Sequence, residues 1–232
     1  AVMQLCVAQI FCLCLGMVAT GVLHKLGVHG FRHDRSFGNI LAGTLCFQGA
    51  SWLLIPFFLR QHGTGWVAAF GFRGPKLKHA LLTALGFIIV VLPVVLLLQY
   101  ASVSMLDKLG FPSEDQTAVK LLTDAKSAWT VVYLGVFAVV LAPVAEEFIF
   151  RGMLFPFIKQ LGRPKLAWLG VSFLFALIHM NAPTLVPLFV FALGLTWLYN
   201  RTDNLLAPIT AHALFNATNL AVLLWQNRPA HA

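Results

Sequence analysis

Seven apolar runs divide this chain of 232 residues, and they constrain its fold more than any other feature of the sequence. A helix needs about 20 consecutive apolar residues to cross a bilayer, and most of the runs have that length. Because lipid cannot pair with backbone polar groups, helices are the expected spanning structure. We therefore predict an all-α, polytopic membrane helical bundle with about seven transmembrane helices. The runs cover about residues 2–23, 38–60, 79–103, 128–150, 165–180, 184–200 and 205–225.

The composition supports a membrane protein and argues against a soluble domain. Hydrophobic residues make up 59% of the chain and charged residues 10%, whereas soluble domains have about 45–50% and about 25%. The net charge of +8 comes from Lys and Arg between the apolar runs, where such residues set topology and contact lipid headgroups. We therefore expect the lipid bilayer as a partner and no nucleic acid. The length suits a single integral membrane domain over residues 1–232.

The distribution of Lys and Arg predicts the orientation of the chain in the membrane. If all seven runs span, the loops at about 61–78, 151–164 and 201–204 share one face with the N-terminus. That face has nine Lys and Arg, counting those next to a span, and the opposite face has seven. The positive-inside rule thus predicts that the N-terminus and the end of the fourth span are cytoplasmic.

Two adjacent glutamates, Glu146 and Glu147, lie within the fourth apolar run. An ionised carboxylate at the bilayer centre costs about 2.5–3.5 kcal/mol on insertion scales, so such residues usually have a function and close partners. Glu147 and Arg151 are four residues apart and can pair on one helix face. Glu146 points about 100° away from that face and is free for chemistry. Pro143 removes a backbone hydrogen bond one turn earlier and should bend the helix beside Glu146.

Polar side chains in two later runs can complete a hydrolytic site with Glu146. His179 follows Phe175 by one turn in the fifth run, and His212 and Asn216 are four residues apart in the seventh. A carboxylate and an imidazole can deprotonate water, and two side-chain donors can stabilise the oxyanion that forms at a carbonyl. The same residue types leave two other interpretations open. Glu146, His179 and His212 could bind Zn²⁺, and the two histidines could be axial ligands of a b-type haem.

The order and spacing of these residues resemble the signature motifs of a known family. The motifs are Glu146-Glu147-x-x-x-Arg151, Phe175-x-x-x-His179 and His212-x-x-x-Asn216. They are similar to those of the CPBP family of intramembrane proteases, also called the CAAX prenyl protease 2 (Rce1-like) or ABI family. The similarity covers about residues 129–225.

The resemblance implies a role for each of these residues. Glu146 and His179 would activate the hydrolytic water, and His212 and Asn216 would form the oxyanion hole. The supporting residues would be Glu147, Arg151 and Phe175. The family is often described as metalloproteases, whereas its better-studied members resemble glutamate-dependent proteases without a catalytic metal. We therefore expect no cofactor, with Zn²⁺ on Glu146, His179 and His212 as the alternative.

These observations lead to a prediction of function with two rivals. We predict an intramembrane endopeptidase of a bacterial-type inner (plasma) membrane. Its substrate would be a membrane-associated peptide or protein, either lipidated or not. The first rival is a catalytically silent member of the family that acts as an assembly or immunity partner in a larger membrane complex. The second rival is the b-haem protein.

Overall fold

A computed structural model describes residues 2–28, 42–43, 45–72, 74–111, 115–125 and 127–227. Helices connected by short turns make up the described residues, and the predicted all-α fold is confirmed. The chain divides into two compact units, Ala1–Ala69 and Phe70–Ala232. A single domain over residues 1–232 stays a prediction.

The described residues of the first unit form two longer helices and a π-helical turn. Helix α1 (Val2–Lys25) is followed by the π turn Leu45–Gly49 and by α2 (Ala50–Gln61). The side chain of Gln9 joins them, because its Nε2 donates to the carbonyl of Cys46 at 3.5 Å and its Oε1 accepts from the Ser51 hydroxyl at 3.3 Å. The short helix α3 (Trp66–Phe70) crosses the boundary between the units.

The second unit contains the remaining helices and the predicted site. They are α4 (Gly74–Lys108), α5 (Thr117–Thr123), α6 (Ala128–Gln160), α7 (Pro164–Leu177), α8 (Ala182–Thr202) and α9 (Leu206–Gln226). One apolar cluster joins α4, α8 and α9, where the rings of Phe191 and Phe215 stack 4.3 Å apart. A second cluster joins α6, α7 and α8, with Phe175 fully buried in it. Both clusters place α8 at the centre of the unit.

Five helices among the described residues are long and apolar enough to cross a membrane. They correspond to the first, third, fourth, sixth and seventh predicted runs. The fifth run forms α7, which has 14 residues and is shorter than the ~20 that a span needs. The second run, 38–60, lies partly outside the described residues. The number of about seven spans therefore stays a prediction.

Helix α6 is not a regular α-helix. Two of its segments, Phe137–Leu141 and Phe148–Leu154, are π-helical, and the α-helical segment Ala142–Glu147 lies between them. The N–H of Ala142 donates to the carbonyl of Phe137, five residues earlier, as in a π turn. The bend that Pro143 predicts beside Glu146 stays a prediction, and the structure shows this π turn directly before Pro143.

Two interhelical contacts place several loops at one end of the second unit. The N–H of Leu205 donates to the carbonyl of Phe70 at 3.0 Å, and Lys159 Nζ donates to Asn200 Oδ1 at 2.7 Å. The α6–α7 and α8–α9 connections therefore lie at the same end, as seven spans would require. At the other end of α7 the chain turns sharply, and Asn181 caps α8 by accepting a hydrogen bond from the Thr184 N–H at 3.2 Å.

Candidate active site

The guanidinium of Arg151 is fully buried and makes three hydrogen bonds. Nη1 donates to Glu147 Oε1 at 2.7 Å, Nε to Thr196 Oγ1 at 3.3 Å and Nη2 to the carbonyl of Ala192 at 3.0 Å. The side chains of Glu147 and Arg151 are both 0% exposed. A buried charge needs a partner and satisfied hydrogen bonds, and this arrangement supplies both. The predicted pairing of Glu147 with Arg151 is thus present, and the other two bonds of Arg151 join α6 to α8.

Glu147 has a second partner that the sequence did not reveal. His212 Nδ1 lies 2.9 Å from the same oxygen, Oε1, that accepts from Arg151. A carboxylate paired with arginine can only accept, so Nδ1 of His212 carries a proton. This contact joins α9 to α6 and fixes the orientation of the imidazole ring. Among the described residues, Glu147 Oε2 is buried without a hydrogen-bond partner.

Glu146 has a different environment from its neighbour. Its side chain is 13% exposed, and its Oε2 lies 3.9 Å from Nε2 of His212, whose side chain is 5% exposed. This distance is too long for a hydrogen bond and short enough for an ion pair when the imidazole is charged. His212 therefore stands between the two glutamates, with Nδ1 on Glu147 and Nε2 directed at Glu146.

His179 is held at the end of α7 by its own helix. Its Nδ1 lies 2.7 Å from the carbonyl of Phe175, one turn earlier. Because a carbonyl can only accept, Nδ1 carries the proton, and Nε2 of the neutral ring is left as an acceptor. His179 therefore has the tautomer that a general base requires.

The ring of Phe175 connects the parts of the site. Its centroid lies 5.0 Å from that of His179 and 5.6 Å from that of His212. The guanidinium carbon of Arg151 lies 4.7 Å from the same centroid, in cation–π geometry. The two histidines and the arginine thus pack around one buried phenyl ring.

Asn216 faces helix α6. Its Nδ2 donates to the carbonyl of Ala138, in the first π turn, at 2.8 Å. An amide nitrogen has two N–H groups, so one remains available after this bond. Asn216 and His212 lie one turn apart on α9; His212 contacts α6 at the glutamates, whereas Asn216 contacts it at Ala138, about two turns earlier.

Sequence reasoning missed several residues of the site. The hydroxyl of Thr196 accepts from Arg151, donates to the carbonyl of Ala192 at 2.9 Å and lies 3.3 Å from Ser172 Oγ. The ring of Phe191 packs edge-on against His212 with centroids 5.7 Å apart. The sequence contains a signal for the two hydroxyls, because Ser172 and Thr196 are isolated polar residues in apolar runs. It contains no signal for Phe191, because phenylalanine is common throughout the chain.

Zn²⁺ binding by Glu146, His179 and His212 stays a prediction. Within the part of the chain that the structure describes, no group of three or more His, Cys, Asp and Glu side chains is placed to hold a metal ion. His179 and His212 both use Nδ1 in hydrogen bonds to protein oxygens, so a metal would have to be bound through Nε2 of each ring. Both also pack on the ring of Phe175, and the haem alternative stays a prediction.

Comparison with known protein families identifies a family that part of the chain matches. Residues 128–218 match the family described as type II CAAX prenyl endopeptidase Rce1-like. The matched segment begins with α6, includes α7 and α8, and contains the three motifs. No curated protein and no solved structure matches the chain.

Proposed function

We propose that this integral membrane protein, whose residues 128–218 belong to the Rce1-like family of type II CAAX prenyl endopeptidases, hydrolyses a peptide bond within the membrane. The family supports a CAAX-type intramembrane protease with a membrane-associated substrate. That this chain is catalytically active, and the roles of its residues given below, are our proposals.

One observation carries the proposal: His212 of α9 approaches both glutamates of α6 and shares the ring of Phe175 with His179, which directly follows α7. Glu146 and His212 approach within 3.9 Å, and both histidines contact the ring of Phe175. Ionisable groups inside a membrane are costly and usually functional. A carboxylate and two imidazoles gathered in one place are the groups that hydrolysis requires.

Glu146 and His179 are the proposed bases for the attacking water. Glu146 is the glutamate that keeps some exposed surface, and His179 has Nε2 unprotonated in its neutral form. Together they take a proton from water as its oxygen adds to the substrate carbonyl carbon. The same proton then goes to the leaving amine when the C–N bond breaks, so the site returns to its starting state.

His212 and Asn216 are the proposed donors to the oxyanion. Since Nδ1 of His212 donates to Glu147, a second proton on Nε2 makes the ring a cation between two carboxylates, which offset its charge. Asn216 offers the N–H that is not bonded to Ala138. Donors held in place before the reaction stabilise the transition state without reorganising, and each is worth about 10²–10³ in kcat.

Glu147 and Arg151 are the proposed support for His212. The arginine neutralises Glu147 and anchors it to α8, while Glu147 holds the imidazole in one tautomer. This arrangement keeps Nε2 directed at Glu146. Neither Glu147 nor Arg151 has exposed surface, so neither is placed to contact a substrate.

The test is cleavage of a defined probe by the reconstituted protein. Wild-type chain in proteoliposomes is incubated with a fluorescence-quenched peptide that ends in a prenylated cysteine motif. Glu146→Gln keeps the shape of the side chain and removes the base, so the rate should fall by at least roughly 100-fold. The control is Asp115→Asn, which makes the same change at an exposed position.

Two results would count against the proposal. Equal cleavage by wild type and Glu146→Gln would remove Glu146 from the mechanism. No cleavage of prenylated, acylated or unmodified membrane peptides by the folded wild type, with stable purification in a larger complex, would favour the silent assembly partner.

A further inference from the structure

The carbonyl that binds Asn216 is one that helix α6 cannot pair by itself. In an α-helix the carbonyl of Ala138 would accept from the N–H of Ala142, four residues later. Here the N–H of Ala142 donates to Phe137 instead, because the turn is π-helical. A π turn would offer Ala138 the N–H of residue 143, but that residue is Pro143, which has none. Both backbone donors are therefore missing.

We propose that Pro143 is a positioning residue that keeps the Ala138 carbonyl open for Asn216. The amide of Asn216 then closes a clamp between α9 and the π turn of α6, defined here as the Ala138–Asn216 clamp. An unpaired carbonyl inside a bilayer is costly, so the lack of a backbone donor for Ala138 strongly favours its bond to Asn216. The existence of the clamp does not depend on the proposed function, whereas its effect on catalysis rests on that function.

The clamp has a direct consequence for His212, which lies one turn before Asn216 on α9. Fixing Asn216 against Ala138 sets the rotation of α9 about its axis, and this rotation decides whether His212 reaches Glu147. The bond also fixes the amide plane, so the second N–H of Asn216 points in one direction. Pro143 thus acts on two site residues without contacting a substrate.

The same helix provides a matched control. The N–H of Phe155 donates to Phe150, five residues earlier, and Pro156 follows directly, as Pro143 follows Ala142. Pro156 lies outside the set of residues to which we assign a role. Pro143→Ala and Pro156→Ala therefore make the same chemical change after equivalent π turns. Alanine is the best helix former, so both variants should fold.

A double-mutant cycle on stability tests the clamp without any enzymatic assay. The unfolding midpoint in detergent is measured for wild type, Pro143→Ala, Asn216→Ala and the double variant. In Pro143→Ala the new N–H competes for the Ala138 carbonyl, so Asn216→Ala should lower the midpoint by less than half as much as in wild type. In the Pro156→Ala background, Asn216→Ala should lower the unfolding midpoint as much as it does in wild type. Additive effects of Pro143→Ala and Asn216→Ala would overturn the proposal.

Kinetics with the quenched prenyl-peptide probe test the positioning of the site. Pro143→Ala should lower kcat about tenfold and leave KM unchanged, a smaller loss than the 10²–10³ expected when an oxyanion donor is deleted. Pro156→Ala should change neither constant. An unchanged kcat in Pro143→Ala, with active wild type, would overturn the positioning role. Coupling in the stability cycle without cleavage by wild type would support the clamp and overturn the proposed function.

Discussion

At the scale of single residues, two adjacent glutamates have opposite environments. Glu147 is fully buried and shares one oxygen between Arg151 and His212, whereas Glu146 keeps partial exposure beside His212. The two side chains leave α6 in different directions, and Arg151 of the same helix pairs with Glu147. We expect the same substitution at the two positions to have different effects.

The first prediction compares Glu147→Gln with Glu146→Gln in stability. Removing the charge of Glu147 leaves the guanidinium of Arg151 buried without its counterion, and breaking such a pair costs about 3–5 kcal/mol. Glu146→Gln should change the free energy of unfolding by less than ~1 kcal/mol, since that side chain has no arginine partner to lose. Denaturant unfolding in detergent measures both. Equal losses would show that the buried ion pair is not what distinguishes the two positions.

The second prediction concerns the shape of the Arg151 side chain. Its three nitrogens donate to three different oxygens, on α6 and α8, and lysine cannot reproduce this planar fork. Arg151→Lys should therefore lower the free energy of unfolding by about 2 kcal/mol. Arg163→Lys, at an exposed position between α6 and α7, is the control and should have no measurable effect. An unchanged free energy of unfolding in Arg151→Lys would mean that only the positive charge at this position is required.

At the scale of helices, α8 approaches α4 closely at a glycine. A Cβ added at Gly194 would lie 2.6 Å from Cζ of Phe87, which is closer than side-chain contacts allow. The fully buried leucines Leu195 and Leu198 follow on α8, so the helix cannot move away without disturbing the core. The close approach therefore depends on the missing side chain.

The third prediction follows from that contact. Gly194→Ala should lower the free energy of unfolding by about 1–3 kcal/mol, because overpacking forces the Phe87 ring or the helix to shift. Gly86→Ala is the matched control, since a Cβ there meets nothing within 4 Å. It should be neutral or stabilise by up to ~1 kcal/mol, as alanine favours the helix. The unfolding midpoints of the two variants check this, and a stabilising Gly194→Ala would contradict it.

Several elements of this fold were predictable, for a physical reason. A span in lipid must pair its own backbone, so length and hydropathy predicted α4, α6, α8 and α9. Helical periodicity also predicted that Glu147 and Arg151 would pair, because residues four apart share a face. Pro143 was the only sequence signal for the irregular form of α6. A π turn leaves carbonyls without a backbone donor, and whether it forms depends on which groups of other helices donate to them.

The contacts between helices were beyond sequence reasoning. The His212–Glu147 bond and the Ala138–Asn216 clamp depend on the rotation of α9 against α6, which no single run encodes. The family resemblance placed these residues in one site but did not assign their hydrogen bonds. Thr196 was missed because a lone hydroxyl in an apolar helix can bond to its own backbone, as this one also does.

At the scale of the whole molecule, the orientation in the membrane stays a prediction. If all seven runs span, nine Lys and Arg lie on the same face as the N-terminus and seven lie on the opposite face. Arg151, one of the nine, is buried in the site and does not act as a loop charge. The loop at Arg163 and the loop at Asp115 lie on opposite faces if the chain alternates as predicted.

The fourth prediction tests this orientation with single cysteines. In a background with the four native cysteines replaced by alanine, Arg163→Cys should react with a membrane-impermeant maleimide only from the cytoplasmic side. Asp115→Cys should react only from the opposite side. Labelling of intact cells and of inverted vesicles separates the two cases. The reverse labelling pattern would show that the predicted topology is inverted, and it would not affect the geometry of the site.

The most direct test of the account follows the oxygen atom of the water that Glu146 is proposed to activate. The wild-type chain and Glu146→Gln cleave the prenyl-peptide probe in water enriched in ¹⁸O, and mass spectrometry reads the new carboxyl group. We predict a single ¹⁸O in the wild-type product and no product above background from Glu146→Gln. The same labelled product at the same rate from Glu146→Gln would contradict the account.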